Sequence, residues 1–286
     1  MDCIAVKDVC KSWGDFALEK VSFQIPQGRI VGLMGENGAG KSTTIRLLAG
    51  ALAPDSGEVR LLGASPQDPA VRAQMGVVFD QCPFPGSFSA NTVGRMLAGI
   101  YPSWEQDLFL SYLKRFQVPL EKTIAVLSKG TQQKLSIACA LSHRPKVLLL
   151  DEVTAGLDPV VRDDLLDLFL EYIQDEEHTI LFSSHITGDM EKVADYVIFL
   201  LQGKVIFHAQ KDELLEQYGI ARCGKEDFTH LDKADYLLAR QTNVATECLV
   251  ADKEVFRKKY PKLLVDRTSL EEIMLFYTKG DGPWKD

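Results

Sequence analysis

The segment from Gly35 to Ser42 has the residue types and spacing of a phosphate-binding loop. Four variable residues separate its first glycine from Gly40-Lys41-Ser42, and glycines allow backbone N–H groups to turn towards phosphate oxygens. Lys41 would neutralise the β- and γ-phosphates, and the Ser42 hydroxyl would contact Mg²⁺. The predicted nucleotide-binding residues of this segment are Gly35, Glu36, Asn37, Gly38, Ala39, Gly40, Lys41, Ser42 and Thr43.

A second pattern that suits phosphate chemistry is the apolar run Val147–Leu150 followed by Asp151 and Glu152. Asp151 is placed to bind Mg²⁺, directly or through water, and Glu152 is placed to accept a proton from water attacking the γ-phosphate. The same pattern also fits a solvated acidic turn after a strand. The two carboxylates therefore strengthen the prediction of a nucleotide site made from the loop, but by themselves they do not identify one.

The elements around these residues predict an α/β fold with a P-loop NTPase core. A buried strand, Ile30–Met34, enters the loop and a helix, Thr43–Ala49, leaves it, which is the context a functional phosphate loop needs. Strands then alternate with helices, beside an antiparallel layer near the start of the chain. The predicted domains are 1–219, with a helical subdomain at about 82–145, and a small α+β unit at 220–286. A capping box is predicted at Thr268 and Glu271.

Two further segments are ambiguous when taken singly. Ser128 is a good N-cap for a helix, and the helix start it would cap is either an anion site or a plain helix end. His185 follows a strand, and an isolated histidine there is more typical of a packed or surface residue than of a catalytic one.

In this order along the chain, the segments resemble the nucleotide-binding subunit of ABC transporters over about residues 1–219. The resemblance implies that Gly35–Ser42 is the Walker A loop and that Leu148–Asp151 is Walker B. It makes Glu152 the catalytic glutamate and His185 the switch histidine. Nucleotide contacts implied outside the Walker A loop come from the adenine-stacking Trp13, from Ser128, Gly130 and Gln132 of the signature, and from Asp158 of the D-loop.

The resemblance also implies an ATP-hydrolysing motor that pairs head to tail with a second, identical subunit and works with a separate membrane permease. Phe79-Asp80, Ser128-Lys129-Gly130 and the tail are similar to ABC-2-type exporters, which favours export. Lys129 replaces the first of two expected glycines. Asp80 holds the place of an expected glutamine, with Gln81 next; either could contact the metal, and we favour Asp80. Two loop residues, Phe84 and Phe88, are candidates for permease contact.

Composition limits the remaining possibilities. A net charge of -8 argues against a general nucleic-acid binder. The sequence has no secretion signal at its start and no apolar run of bilayer length, which predicts a cytoplasmic protein held at the inner face of the membrane by its permease. Six scattered cysteines predict neither zinc nor disulfides. The alternatives are a soluble ABC-type ATPase and a regulatory subunit that hydrolyses ATP poorly.

Overall fold

The computed structural model describes residues 2–242 and 245–280. The chain divides into two compact units, Met1–His208 and Ala209–Asp286. The strands of the first unit are β1 (Asp2–Trp13), β2 (Phe16–Pro26), β3 (Ile30–Met34), β4 (Ser56–Leu61), β5 (Met75–Val78), β6 (Val147–Asp151), β7 (Thr179–Ser184), β8 (Tyr196–Leu201) and β9 (Lys204–Gln210). Its helices are α1 (Lys41–Leu48), α2 (Pro69–Arg72), α3 (Ala90–Ala98), α4 (Gln106–Arg115), α5 (Lys129–Leu141), α6 (Pro159–Tyr172) and α7 (Thr187–Val193).

The central sheet of the first unit has the strand order β5-β6-β7-β3-β8-β9. Parallel pairing joins β5 to β6, β6 to β7, β7 to β3 and β3 to β8. Every residue of β3, β6 and β7 is buried, because both faces of the sheet are covered; on one face, its side chains share a core with α1 and with residues of β1, β2 and β4. This arrangement brings the carboxyl ends of β3, β6 and β7 to one edge, where ligands of open α/β sheets bind.

An antiparallel layer with the order β2-β1-β4 forms the second sheet of this unit. β1 and β2 make a hairpin that turns at Gly14 and Asp15, and Trp13 is the last residue of β1. The predicted helical region contains α3, α4 and α5. The α/β fold with a P-loop core, an antiparallel layer and a helical region is confirmed.

The second unit is a small α+β structure, as predicted. Its elements are α8 (Lys211–Gln217), β10 (Gly219–Cys223), α9 (Lys225–Thr229), β11 (Leu238–Gln241), β12 (Thr246–Val250), α10 (Lys253–Lys259), β13 (Leu264–Arg267) and α11 (Leu270–Lys279). The strands pair antiparallel in the order β11-β12-β10-β13. The structure groups α8 with this unit, whereas the sequence analysis ends the first domain at residue 219.

The capping box of α11 lies one residue later than predicted. Ser269 is the N-cap, its hydroxyl accepts from the Glu272 N–H, and the Glu272 carboxylate accepts from the Ser269 N–H. The prediction of Thr268 and Glu271 was wrong because both pairs have the capping-box spacing, and the buried side of the helix decides which pair is used. Within residues 2–242 and 245–280, the helices are too short or too polar to cross a bilayer.

Candidate functional site

The Gly35–Ser42 loop leaves the buried strand β3 and enters α1, with glycine at positions 35, 38 and 40. At Gly40 the backbone has φ 110°, and an added Cβ would lie 2.5 Å from Cδ2 of Leu18. At Gly35 an added Cβ would lie 2.4 Å from the Leu200 carbonyl oxygen. Because no side chain fits at either position, the path of the loop depends on these two glycines.

Lys41 is the first residue of α1 and is almost fully buried. Its Nζ donates to the carbonyl oxygens of Gly35 at 2.8 Å and Glu36 at 3.3 Å. The same Nζ lies 3.2 Å from Oε1 of Glu152. The ammonium group is therefore folded back across the mouth of the loop, where a phosphate group would also lie.

Asp151 ends β6 and is fully buried. Its Oδ1 accepts from the hydroxyls of Ser42 at 3.0 Å and Ser183 at 2.7 Å. Its Oδ2 has no partner among the residues that the structure describes. Burial raises the pKa of this carboxyl, the two hydroxyl bonds oppose the rise, and the nearby carboxylates of Asp80 and Glu152 add to it. A buried carboxylate oxygen without a partner beside a serine hydroxyl is a donor set that suits Mg²⁺.

Glu152 occupies the turn after β6 with a left-handed backbone, φ 51°. Its N–H donates to the carbonyl and hydroxyl oxygens of Ser183, at 3.2 and 3.0 Å. Its carboxylate lies between two basic side chains: Oε1 is 3.2 Å from Lys41 Nζ, and Oε2 is 2.7 Å from His185 Nδ1. The half-exposed His185 therefore holds one edge of a carboxylate that faces the loop.

One cavity of about 590 Å³ joins these groups. The phosphate-loop side is formed by Asn37, Gly38, Gly40, Lys41, Ser42 and Thr43. The other walls are formed by Phe16, Asp80, Lys129, Gly130, Gln133, Glu152, Ala155, Gly156, Leu157 and His185. Asp80 thus lines the cavity, and the neighbouring Gln81 is exposed outside that set.

Several predicted site residues do not line the cavity in the single chain. Ser128 and Asp158 are helix N-caps: the Ser128 hydroxyl accepts from Thr131 N–H, and Oδ1 of Asp158 accepts from the N–H groups at the start of α6. The Gln132 amide donates to the carbonyl oxygens of Ile124 and Leu127. The others outside the cavity are Gly35, Glu36, Ala39, Asp151 and Trp13, of which Trp13 is 59% exposed.

Three residues that help to build the site were not predicted from the sequence. Phe16 pairs with Trp13 across the β1–β2 hairpin and lies on the cavity wall. Gln133 lines the cavity and its amide donates to the Phe79 carbonyl at 3.2 Å. Ser183 lies beside Asp151 in the parallel register of β6 and β7. Ser183 could have been found from its position: it is a hydroxyl residue near the end of β7, the strand that pairs with the Walker B strand β6.

Comparison with known proteins identifies the family. The ABC transporter family profile matches residues 18–155. The uncharacterized ABC transporter ATP-binding protein YxlF of Bacillus subtilis is 34% identical over 221 residues, covering 75% of this chain and 73% of that protein. The chain belongs to the ABC transporter ATP-binding proteins. It is the ATPase subunit of a membrane transporter.

Other relatives and solved structures of ABC ATP-binding proteins agree with this membership. The bacitracin transport ATP-binding protein BcrA of Bacillus licheniformis is 30% identical, covering 74% of this chain and 71% of that protein. The lantibiotic transport ATP-binding protein SrtF of Streptococcus pyogenes is 31% identical, covering 73% and 91%. A solved ATP-binding subunit of an ABC transporter is 29% identical with a TM-score of 0.68, covering 74% of this ABC subunit and 91% of that chain.

Proposed function

We propose that this ABC subunit binds Mg²⁺-ATP at the Gly35–Ser42 loop and hydrolyses it with Glu152 as general base. The observation that carries the proposal is the position of the Glu152 carboxylate. It lies between Lys41 Nζ at 3.2 Å and His185 Nδ1 at 2.7 Å, at the edge of the sheet where β3, β6 and β7 end. The base Glu152, the phosphate-binding cation Lys41 and His185, which orients the base, therefore lie within contact distance of one another.

The nucleotide phosphates fit the loop for electrostatic reasons. The first N–H groups of α1 point out of the helix with a partial positive charge, and Lys41 adds a full charge beside them. Lys41 already binds the carbonyl oxygens of Gly35 and Glu36, so its side chain is held over the loop. Trp13, exposed at the end of β1, is proposed to stack on the adenine.

The residues fit a magnesium ion as well. Ser42, Asp151 and Asp80 would hold it, and Oδ2 of Asp151 is the free buried oxygen that such an ion satisfies. Bound there, Mg²⁺ would supply positive charge next to the β- and γ-phosphates.

The hydrolytic role of Glu152 follows from its surroundings. An ionised carboxylate only accepts hydrogen bonds, so His185 holds it by donating from Nδ1. The carboxylate then faces the loop ready to take a proton from water near the γ-phosphate. Lys41 and His185 fix its orientation from both sides, which reduces the motion needed before proton transfer.

A second copy of the chain would complete the site. The start of α5 is capped by Ser128 and presents backbone N–H groups at Gly130. The Gln132 amide donates to two carbonyl oxygens of the preceding loop and so stabilises it. We propose that this helix start closes over the nucleotide of the partner copy, with Asp158 on the adjoining D-loop. Lys129 would then bring a cation to the phosphates where the family has glycine.

The transport role is proposed to be export through a separate permease. BcrA and SrtF carry bacitracin and lantibiotic transport in their names, and both are more than two-thirds covered by this chain. Phe84 and Phe88, half-buried in the loop after β5, are proposed to meet the permease. The subunit would act at the inner face of the membrane through that contact.

Steady-state ATP hydrolysis tests the catalytic assignment. Glu152→Gln should lower kcat by about 10²–10⁴-fold and leave ATP binding intact, because the amide cannot take the proton. Lys41→Ala should instead weaken ATP binding by about tenfold or more, because a charge-assisted phosphate contact is lost. Equal, negligible rates for the unmodified chain and Glu152→Gln would favour the poorly hydrolysing regulatory subunit.

A further inference from the structure

Asp189 is a buried carboxylate in the first turn of α7, four residues after His185, and it is 1% exposed. Its Oδ1 lies 3.1 Å from Nε of Arg162 on α6. Its Oδ2 has no partner within the described parts of the chain. Burial raises the pKa of Asp189, and the nearby Thr154 hydroxyl and the Arg162 charge oppose that rise. The carboxylate is thus paired with a charge on a neighbouring helix.

Thr154 joins the turn that carries the catalytic glutamate to the start of α7. It follows Glu152 by two residues, and its hydroxyl is 3.5 Å from the hydroxyl of Ser184. Ser184 immediately precedes His185, and its hydroxyl accepts from the Ile186 N–H at 3.0 Å, which fixes the start of α7. His185 Nδ1 lies 2.7 Å from Oε2 of Glu152, and the Asp189 N–H donates to the Ile186 carbonyl oxygen at 3.2 Å. The residues around His185 are therefore fixed to the Glu152 turn on one side and, through Asp189, to Arg162 on the other.

Arg162 connects the same carboxylate to α6. This helix begins at Pro159, directly after the Asp158 cap, and Arg162 lies within its first turn. The two helices are joined a second time by an exposed cluster, in which Lys192 pairs with Asp163 at 2.6 Å and with Asp167 at 2.8 Å. Within the described residues, this exposed cluster makes no hydrogen bond or ion pair with Thr154 or Glu152, so it offers a matched comparison for the buried pair.

We propose that Asp189 is a positioning residue for ATP hydrolysis: by pairing with Arg162 it holds the first turn of α7 against α6, and so sets where His185 holds the Glu152 carboxylate. The inference rests on the proposed roles of Glu152 and His185. It predicts an effect on turnover that loss of a merely structural ion pair would not produce. Asp189 and Arg162 do not line the cavity at the phosphate loop, so the effect is expected on kcat rather than on KM.

The test is the kcat and KM of ATP hydrolysis for Asp189→Asn. Asparagine keeps the shape and one acceptor oxygen but removes the charge that faces Arg162. We expect kcat to fall by about ten- to a hundredfold, as misplacement of a catalytic group does, with KM unchanged. Asp163→Asn, which alters the exposed cluster between the same helices, should leave both constants unchanged.

A second measurement separates positioning from stability. In a His185→Ala background, Asp189→Asn should produce no further loss of kcat, because the group it positions is gone. A normal kcat for Asp189→Asn with a lowered melting temperature would overturn the inference, and so would the same fold-loss in both backgrounds. A normal kcat for His185→Ala would instead contradict the proposed function. If circular dichroism shows that Asp189→Asn does not fold, Arg162→Gln, which removes the other charge of the buried ion pair, is judged by the same criteria.

Discussion

Asp151 is the residue at which stability and function oppose each other most clearly. Its carboxylate is fully buried, Ser42 and Ser183 satisfy one oxygen, and the other oxygen has no partner in the described chain. Asp80 and Glu152 add like charge nearby. A bound cation would pair with the free oxygen and offset the repulsion between the carboxylates. The stability that the chain loses by burying Asp151 would therefore be regained when the metal–nucleotide complex binds.

The pH dependence of stability tests this description of Asp151. A carboxyl whose pKa is raised on folding contributes stability below its unfolded pKa, and that contribution is lost as the pH rises through the folded pKa. The unfolding free energy of the nucleotide-free chain, minus that of Asp151→Asn, should therefore become more negative as the pH rises from the ordinary carboxyl range to neutrality. Urea unfolding at several pH values gives this difference. A difference that is flat or grows more positive with pH would contradict it.

At the residue scale, site residues that are neighbours in the sequence could be predicted from the sequence. The loop from Gly35 to Ser42 and the pair Asp151-Glu152 each carry their chemistry in neighbouring positions, so their grouping could be predicted. Ser183 and Gln133 reach the site through the register of β6 against β7 and through the packing of α5 on the Phe79 carbonyl. Contacts of that kind join distant segments, and local pattern does not encode them.

At the scale of elements, the starts of α1, α5 and α6 are each built differently. Gly40 leaves the α1 start open for an anion, whereas Ser128 and Asp158 occupy the starts of α5 and α6 with their own side chains. A helix start that is already capped offers fewer free N–H groups. In the single chain, the role of Asp158 is therefore to stabilise α6 as its N-cap.

Replacement of Asp158 tests whether this cap stabilises the chain. Asp158→Ala removes two hydrogen bonds of 3.1 Å to the N–H groups of Val160 and Val161, and should lower the free energy of unfolding by about 1 kcal/mol. Asp158→Asn keeps an acceptor oxygen and should lose much less. Urea unfolding measures both. Equal stabilities of the two variants and the unmodified chain would show that the cap contributes nothing.

The element predictions failed mainly in the second unit. β10 and β13 were not predicted, since each is short and neither alternates buried with exposed positions: β10 is buried except at Arg222, and β13 is buried only at Val265. β10 lies between β12 and β13, so its strand conformation is imposed by two neighbours rather than by its own sequence. In the first unit the buried strands are continuous apolar runs, and these were predicted correctly.

At the scale of the whole molecule, the proposed cycle needs two copies. One loop and one lysine do not neutralise a triphosphate, and the proposed signature contact adds a second helix start and Lys129. ATP would then hold two subunits together until hydrolysis, which converts ligand binding into motion of the permease. A variant that binds ATP but cannot hydrolyse it should accumulate as the closed pair.

Size-exclusion chromatography with light scattering tests this expectation. Glu152→Gln should elute as a dimer with ATP and Mg²⁺ and as a monomer without nucleotide. Glu152→Gln combined with Lys41→Ala is the matched control and should stay monomeric, because it loses nucleotide affinity. A Glu152→Gln monomer at saturating ATP would argue against the shared site.

The most direct test of the central claim is an experimental structure of Glu152→Gln with ATP and Mg²⁺. We expect the triphosphate on the backbone of Gly35–Ser42, Lys41 on the β- and γ-phosphates, and the metal beside Ser42 and Asp151. ATP bound elsewhere, with the Gly35–Ser42 loop empty, would contradict the account.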